Sequence, residues 1–288
     1  MNKALPNNGN KLRVPCCYQG GKQRVAPEIV DRILSEAIQV DENTVFYDLC
    51  CGSGAYSLEL INRGIRPNNI IMLDKSSWGT FWQAIGSGSF SMEEFGDLLE
   101  RIPADKKLIK QFMLDLSAER INGTECYTYL VLQACSFGGK QIWRDGNTWK
   151  NAFFRDYWEP TATSVRKSPA NPMQPSPKTL EARVAKLVES CRGITCIHDD
   201  IEIMLQIDIP ENAIIYIDPP YRNTTGYAYG FDLDAFVGDL RSVTRAPIFV
   251  SEGFPLNDDA YRLAFGGAKG GISGNRNGKH QEWLSRIE

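Results

Sequence analysis

Residues 213–221 read Ala-Ile-Ile-Tyr-Ile-Asp-Pro-Pro-Tyr, a carboxylate, two prolines and a ring directly behind an apolar, β-branched run. The run before Asp218 has the character of a buried strand. The two prolines lack N–H donors and hold the chain in an extended turn after it. In an open α/β sheet, ligands bind just beyond the carboxyl ends of strands. Asp218, Pro219, Pro220 and Tyr221 are therefore a candidate rigid bracket, presenting one carboxylate, one bare carbonyl and one aromatic face. Proline is also an ordinary stop after a strand, and Asp an ordinary turn residue, so the bracket gains meaning only from a second site.

The second site is Asp48-Leu-Cys-Cys-Gly52-Ser-Gly54, which ends a strand at Val45–Tyr47 and opens a helix from Ala55 to Asn62. Glycines there let the backbone approach a ligand, with helix N–H groups beyond. Asp74 ends the next strand, 20 residues past Gly54. An acid at that place can bind ribose hydroxyls. The third glycine of a dinucleotide fingerprint is missing, since position 57 is Ser, and Asp48 comes early. Both departures suit a nucleoside without phosphate better than a pyrophosphate. A positively charged sulfonium with a free amino acid group would favour a nearby carboxylate.

These groups need a sheet to hold them. Strand, glycine turn, helix and strand over 45–74 make the first half of a doubly wound sheet, preceded by a helix over Pro27–Ile38. After residue 195 the alternation resumes. Strands are expected in "GITCIHDD", "AIIYID" and "APIFVSE", and a last edge strand in "HQEWLSRIE". Helices are expected in "IEIMLQI", "FDLDAFVGDLRSV" and "LNDDAYRLAFG". Between them, "SMEEFGDLLERI", "KKLIKQFMLDLSAERI", "ECYTYLVLQACSF" and "TLEARVAKLVESC" have helical periodicity. An aromatic and proline-rich piece over 137–178 is irregular, and a stretch of that length inside a domain is usually functional. The organisation expected is a discontinuous α/β domain, 1–85 and 196–288, carrying a mostly helical insertion, 86–195.

Composition excludes several classes. Apolar content of 42% and charge content of 23% are those of a soluble globular chain, and no apolar run reaches membrane-spanning length. The N-terminus "MNKALPNNGNKLRVP" has no apolar core of a secretory signal, so a cytoplasmic location is expected. The eight cysteines are then expected to be reduced thiols. They form no Cys-x-x-Cys pair, and His198 and His280 are far apart, which argues against a structural metal site. Net charge is −3, yet residues 137–186 hold an excess of five positive charges, including Lys140, Arg144, Lys150 and Arg155. A local patch of this kind can bind phosphates on an acidic chain.

The ordered set Tyr18-Gln-Gly20-Gly21-Lys22, Asp48-Leu-Cys-Cys-Gly52-Ser-Gly54, Asp74 and Asp218-Pro219-Pro220-Tyr221 resembles the Dam-like (D12, α-class) N6-adenine DNA methyltransferases, in their phage-type branch. The stretch from Leu130 to Phe154 is similar to the family's passage from a helix into a loop of its target-recognition insert, and 272–288 to its C-terminal end. The likeness spans nearly the whole chain. Cys50 departs from it, since the family often has Phe there.

The resemblance implies a Rossmann-like methyltransferase sheet, S-adenosylmethionine as cofactor and double-stranded DNA as partner. The expected state is a monomer or weak dimer in a bacterial or phage-infected cell. Tyr18, Gly20, Gly21 and Lys22 would lie against the cofactor, Asp48, Gly52 and Gly54 would cradle it, Asp74 would take the ribose, and Asp199 or Asp200 would sit near its adenine. Asp218 and the Pro219 carbonyl would accept hydrogen bonds from the amine of a flipped-out adenine, with Tyr221 stacked on the base. Lys140, Arg144, Lys150 and Arg155 would contact DNA. Other planar amines (cytosine N4, adenine in RNA, glutamine) and a non-catalytic DNA-binding protein of this fold are the competing readings. Pro15-Cys16 is a further candidate, for cytosine C5 chemistry, but it precedes the glycine loop where a nucleophile is expected after it.

Overall fold

The computed structural model describes residues 11–37, 40–120, 123, 125–221, 230–263 and 281–288. His280, the last residue of the first expected helix and parts of the N-terminal, post-Tyr221 and C-terminal stretches quoted above lie outside the described residues.

The chain opens with α1 (Ala26–Glu36), which buries Ile29, Val30 and Ile33 at helical spacing. Then come β1 (Val45–Leu49), α2 (Ala55–Asn62), β2 (Ile70–Leu73) and α3 (Ser77–Ser87). The next elements are α4 (Met92–Glu100), α5 (Ile109–Ala118) and α6 (Glu125–Cys135). A small hairpin follows, β3 (Trp143–Asp145) and β4 (Thr148–Lys150), and then α7 (Pro177–Ser190). The chain returns through β5 (Thr195–Ile197), a 3-10 turn at Ile201–Leu205, β6 (Ala213–Ile217), α8 (Leu233–Val243), β7 (Ile248–Glu252), β8 (Tyr261–Arg262) and β9 (Trp283–Ile287).

The strands form one seven-stranded sheet in the order β5-β2-β1-β6-β7-β9-β8. The first five run parallel, while β9 is antiparallel to β7 and to β8. The chain winds outward from β1 to β2 and β5, then returns to lay β6 on the other side of β1. That reversal creates a crevice at the carboxyl ends of β1 and β6.

Burial explains the continuous apolar strands. In β6, Ile214 and Tyr216 face the layer that contains α1, α2 and α3, whereas Ile215 and Ile217 face α8 and the 3-10 turn. A strand covered on both faces has no polar side to alternate with. The segment 86–195 does not keep a separate core: Phe90, Phe95 and Tyr129 are buried in one cluster with Trp78, Phe81 and Ile85 of α3. Residue 86, the expected boundary, lies in the last turn of α3, and residue 196 lies within β5.

Three local expectations change. The stretch 75–87, read without an element, is α3, whose start Ser76 caps by accepting from the Trp78 N–H. Residues 256–263, read as the start of a helix, are instead held to β9. The Ser285 hydroxyl accepts from the Leu256 N–H, the Asn257 amide donates to the Arg286 carbonyl, and Tyr261–Arg262 pair with Leu284 and Trp283. Pairing with an available strand outweighs a weak helical period there. The stretch 201–207 winds only as a 3-10 turn over Ile201–Leu205, capped by Asp200.

Gly86 shows how tightly α3 sits on β5. A Cβ at this position would lie 2.0 Å from the Ile194 carbonyl oxygen, which is backbone and cannot turn away. Gly86→Ala is therefore expected to destabilise the protein by about 1–3 kcal/mol. The check is a urea titration, with a lower midpoint and an unchanged slope.

Candidate active site

The crevice beyond β1 and β6 is the meeting place of the two sequence motifs. Asp48 and Gly52 line it from one side, and Asp218, Pro219 and Pro220 from the other. Tyr18, Gly20, Gly21 and Lys22 close it from the segment before α1, and Asp74 and Asp200 from the ends of β2 and β5. Gln141 reaches it from the insertion. Gly54 sits behind the loop, Asp199 receives the Asp200 N–H at 2.7 Å outside the crevice, and Tyr221, directly after Pro220, is not among the residues that line it.

The loop after β1 is held from below and from the side. Cys50, Gly52 and Gly54 all take left-handed backbone angles. A Cβ on Gly54 would lie 2.3 Å from the Trp82 ring, whose Nε1 donates to the Gly52 carbonyl at 3.0 Å. Only glycine fits both that angle and that contact. The Gly52 N–H donates to Asp74 Oδ2 at 2.7 Å, while the Ser76 N–H and hydroxyl both donate to Oδ1. Asp74 thus organises the loop as well as facing the crevice. The Tyr18 ring covers Gly52.

Asp48 is buried on β1 and receives the Ser57 hydroxyl at 2.7 Å and the Ser57 N–H at 3.3 Å. Position 57, where the dinucleotide pattern would have glycine, thus supplies a donor to the early acid. Burial pushes the Asp48 carboxyl up to about 7; the Ser57 bonds hold it down, and the Asp218 and Asp74 charges push it further up. Burial also raises Asp74. Neither carboxylate has an ion-pair partner among the described residues.

Asp218 does have one. Lys22 Nζ lies 2.6 Å from Asp218 Oδ1, 3.7 Å from Glu282 Oε1 and 4.6 Å from the centre of the Tyr221 ring. The Lys22 carbonyl accepts from the Val25 and Ala26 N–H groups at the start of α1, which fixes its backbone. Burial works against the Lys22 ammonium, but the Asp218 and Glu282 charges outweigh it and raise its pKa. Burial raises Asp218, and Lys22 pulls it back. Tyr221 donates its hydroxyl to Glu282. Lys22, read from sequence as a cofactor contact, therefore has its charge engaged by the bracket. Glu282 carries no signal in the sequence reading; it stands directly before β9 and gains its role only from the contacts of the folded chain.

The insertion joins the site through backbone. The Gln19 N–H donates to the Gly139 carbonyl at 2.7 Å, and buried Gln133 holds Gly139, Lys140 and Ile142. Lys140, Arg144 and Lys150 are exposed. Arg144 pairs with Glu125 at 2.6 Å, Lys150 lies 3.7 Å from Asp145, and Arg155 stands over the Phe137 ring at 5.0 Å. Cys16 is buried and its thiol is pushed up by that burial, the opposite of what a nucleophile needs.

No protein-family model matches the sequence, and no curated protein matches it significantly. No helix among the described residues is long and apolar enough to cross a membrane, and no group of three or more His, Cys, Asp or Glu among them could hold a metal ion.

The Asp48 shift has a sign that can be tested. Its carboxyl binds a proton more tightly folded than unfolded, so its contribution to stability is lost as pH rises from about 4 through about 7. Asp48→Asn removes that loss. Relative to the parent protein, the variant is expected to gain on the order of 3 kcal/mol between pH 4 and pH 8, measured by denaturant unfolding across pH.

Proposed function

We propose that the chain is an S-adenosylmethionine-dependent methyltransferase acting on the N6 amine of adenine in double-stranded DNA, similar to the Dam-like family. The observation that carries this reading is the shared crevice. A glycine loop with two buried carboxylates that lack a cation, Asp48 and Asp74, faces a proline-stiffened Asp218-Pro219-Pro220 turn.

The residues present fit such a cofactor. The ammonium of its zwitterionic amino acid end and its sulfonium suit Asp48, and its ribose hydroxyls suit Asp74 at the end of β2. Tyr18, Gly20, Gly21, Asp48, Gly52 and Asp74 would hold it, with Asp200 nearer its base. When bound it would supply an electrophilic methyl group on sulfur.

The chain's own contribution is to make a poor nucleophile usable. The lone pair of an aromatic amine is delocalised into its ring. Asp218 and the Pro219 carbonyl accept its two N–H bonds, favour a tetrahedral nitrogen and free the lone pair. Asp218 also stabilises the positive charge that develops on the nitrogen. With the prolines fixing both acceptors, the remaining gain is positioning. A base in a duplex must leave the stack to reach them, at a cost of a few kcal/mol. Stacking on Tyr221 offsets that by about 1–3 kcal/mol.

Titration calorimetry with S-adenosylmethionine, followed by single-molecule sequencing of DNA from cells expressing the protein, tests the reading. Binding together with methylated adenine in a defined context supports it. Modified cytosine, RNA or protein would redirect it to another planar amine, and DNA binding without cofactor binding would mean a non-catalytic protein. Asp218→Ala is expected to lower methyl transfer by about a hundredfold or more while cofactor affinity stays within about threefold. Near-normal turnover would remove Asp218 from the mechanism.

The insertion is read as the DNA-contacting part. Arg155 has no carboxylate partner within ion-pair distance among the described residues, unlike Arg144. Arg155→Ala is therefore expected to weaken DNA binding more than Arg144→Ala, with cofactor binding unchanged in both. If Arg155 contacts phosphate, the loss is equal for cognate and scrambled duplexes and the salt dependence flattens. If it reads a base, the loss is about 1–3 kcal/mol and confined to the cognate sequence.

A further inference from the structure

The cluster behind the bracket holds more negative charge than it needs. Lys22 and Asp218 at 2.6 Å already form a neutral pair. Glu282 adds a second carboxylate whose side chain is only 7% exposed, 3.7 Å from the same ammonium. A surplus buried carboxylate costs stability unless it is hydrogen-bonded and paired. Here it is built in from a third part of the fold. The Glu282 carbonyl accepts from the Leu263 N–H at 2.9 Å, and its neighbour Trp283 pairs with Glu252 in the β9–β7 register. Its carboxylate receives the Tyr221 hydroxyl, while Lys22 lies 4.6 Å from the centre of that ring. One side chain thus touches both the cation that faces Asp218 and the ring that follows it.

We propose that Glu282 is a positioning residue for methyl transfer: it draws part of the Lys22 ammonium away from Asp218, leaving that carboxylate a stronger acceptor, and it fixes the Tyr221 ring through its hydroxyl. This rests on the methyltransferase reading for its consequence, but the charge relation holds independently of it. The other titratable groups facing the cluster are Asp48 from β1 and Tyr216 from β6, whose hydroxyl is engaged with Ser251 at 2.7 Å, with Glu252 at the end of β7. None of these contacts Lys22 as Asp218 and Glu282 do. Burial raises the Glu282 carboxyl to about 7, so its charge and its hold on Lys22 fade below neutral pH.

The test is a carbon-13 carboxyl NMR titration of Asp218, assigned with Asp218→Asn, in the parent protein, Glu282→Gln and Glu282→Asp, alongside steady-state methyl transfer to DNA. Lys22 also donates to the Gly20 carbonyl at 2.8 Å, and Glu282 ionises near pH 7 against an Asp218 charge already present, so the loss of the Glu282 proton is expected to appear as a second step in the Asp218 carboxyl resonance as Lys22 is drawn away. Glu282→Gln is expected to abolish that second step and the limb of kcat that accompanies it near neutral pH. Plateau kcat is expected to fall about tenfold, less than for a directly acting group. The KM for S-adenosylmethionine is expected to stay within about twofold. Glu282→Asp, which keeps the charge at longer range, is expected to recover part of both effects, and it provides the titration if the Gln protein does not fold. An Asp218 resonance with no step near neutral pH in the parent protein, or with the same step in both variants, overturns the proposal. A parent protein that methylates no DNA overturns the functional reading instead, and the titration still decides the charge relation.

Discussion

The organisation of the crevice depends on one constraint, that a charge taken out of water must meet its opposite. Lys22 is buried, and the groups that answer it come from distant parts of the chain, Asp218 after β6 and Glu282 beside β9. Removing one partner from such a cluster is far worse than never having built it, because a charge is left behind without solvent. The segment before α1, the end of β6 and the start of β9 are therefore bound to a common geometry. The Pro219 carbonyl inherits its place from that agreement.

On the other side of the crevice the logic is reversed. Asp48 and Asp74 are buried with hydroxyl and N–H donors but without a cation. Hydrogen bonds make their burial tolerable and do not neutralise them. A site that keeps one carboxylate satisfied by lysine and leaves two others in want of positive charge has a polarity. Under the proposed reading, it separates a place for a cationic ligand from a place where a neutral amine can be held. Trp82 and Trp78 of α3 support this division physically, one beneath the glycine loop and the other edge-on to Tyr18 at 5.6 Å.

The strands, the glycine turn and the proline bracket were legible because each carries its signal locally. Five apolar residues before Asp218, or Gly52 and Gly54 before a helix, need no knowledge of the rest of the chain. What was not legible depends on contact. The helix α3 hides behind Gly79 and Gly86, which lower its propensity and are required by its neighbours. Glu282 acquires meaning only when β9 lies beside β7. The hairpin β3–β4 did carry a local signal, Gly146-Asn147 between the short stretches that hold Trp143 and Trp149, which a search for turn dipeptides finds. Fold and crevice rest on the sheet order; the chemistry assigned to the crevice rests on the reading of its residues.

The position of Lys22 in the chain also bears on assembly in time. A ribosome releases it long before Asp218 and Glu282 exist, so the nascent chain cannot bury it without an uncompensated charge. The parallel core of β1 and β2 can begin to form meanwhile, but β6 must later add to the free edge of β1, and β7 in turn to that of β6. Contacts this remote in sequence form late and slowly. The crevice is thus completed only once β9 has been synthesised, and a chain interrupted before β9 would carry both motifs yet lack the closed ion cluster that aligns them.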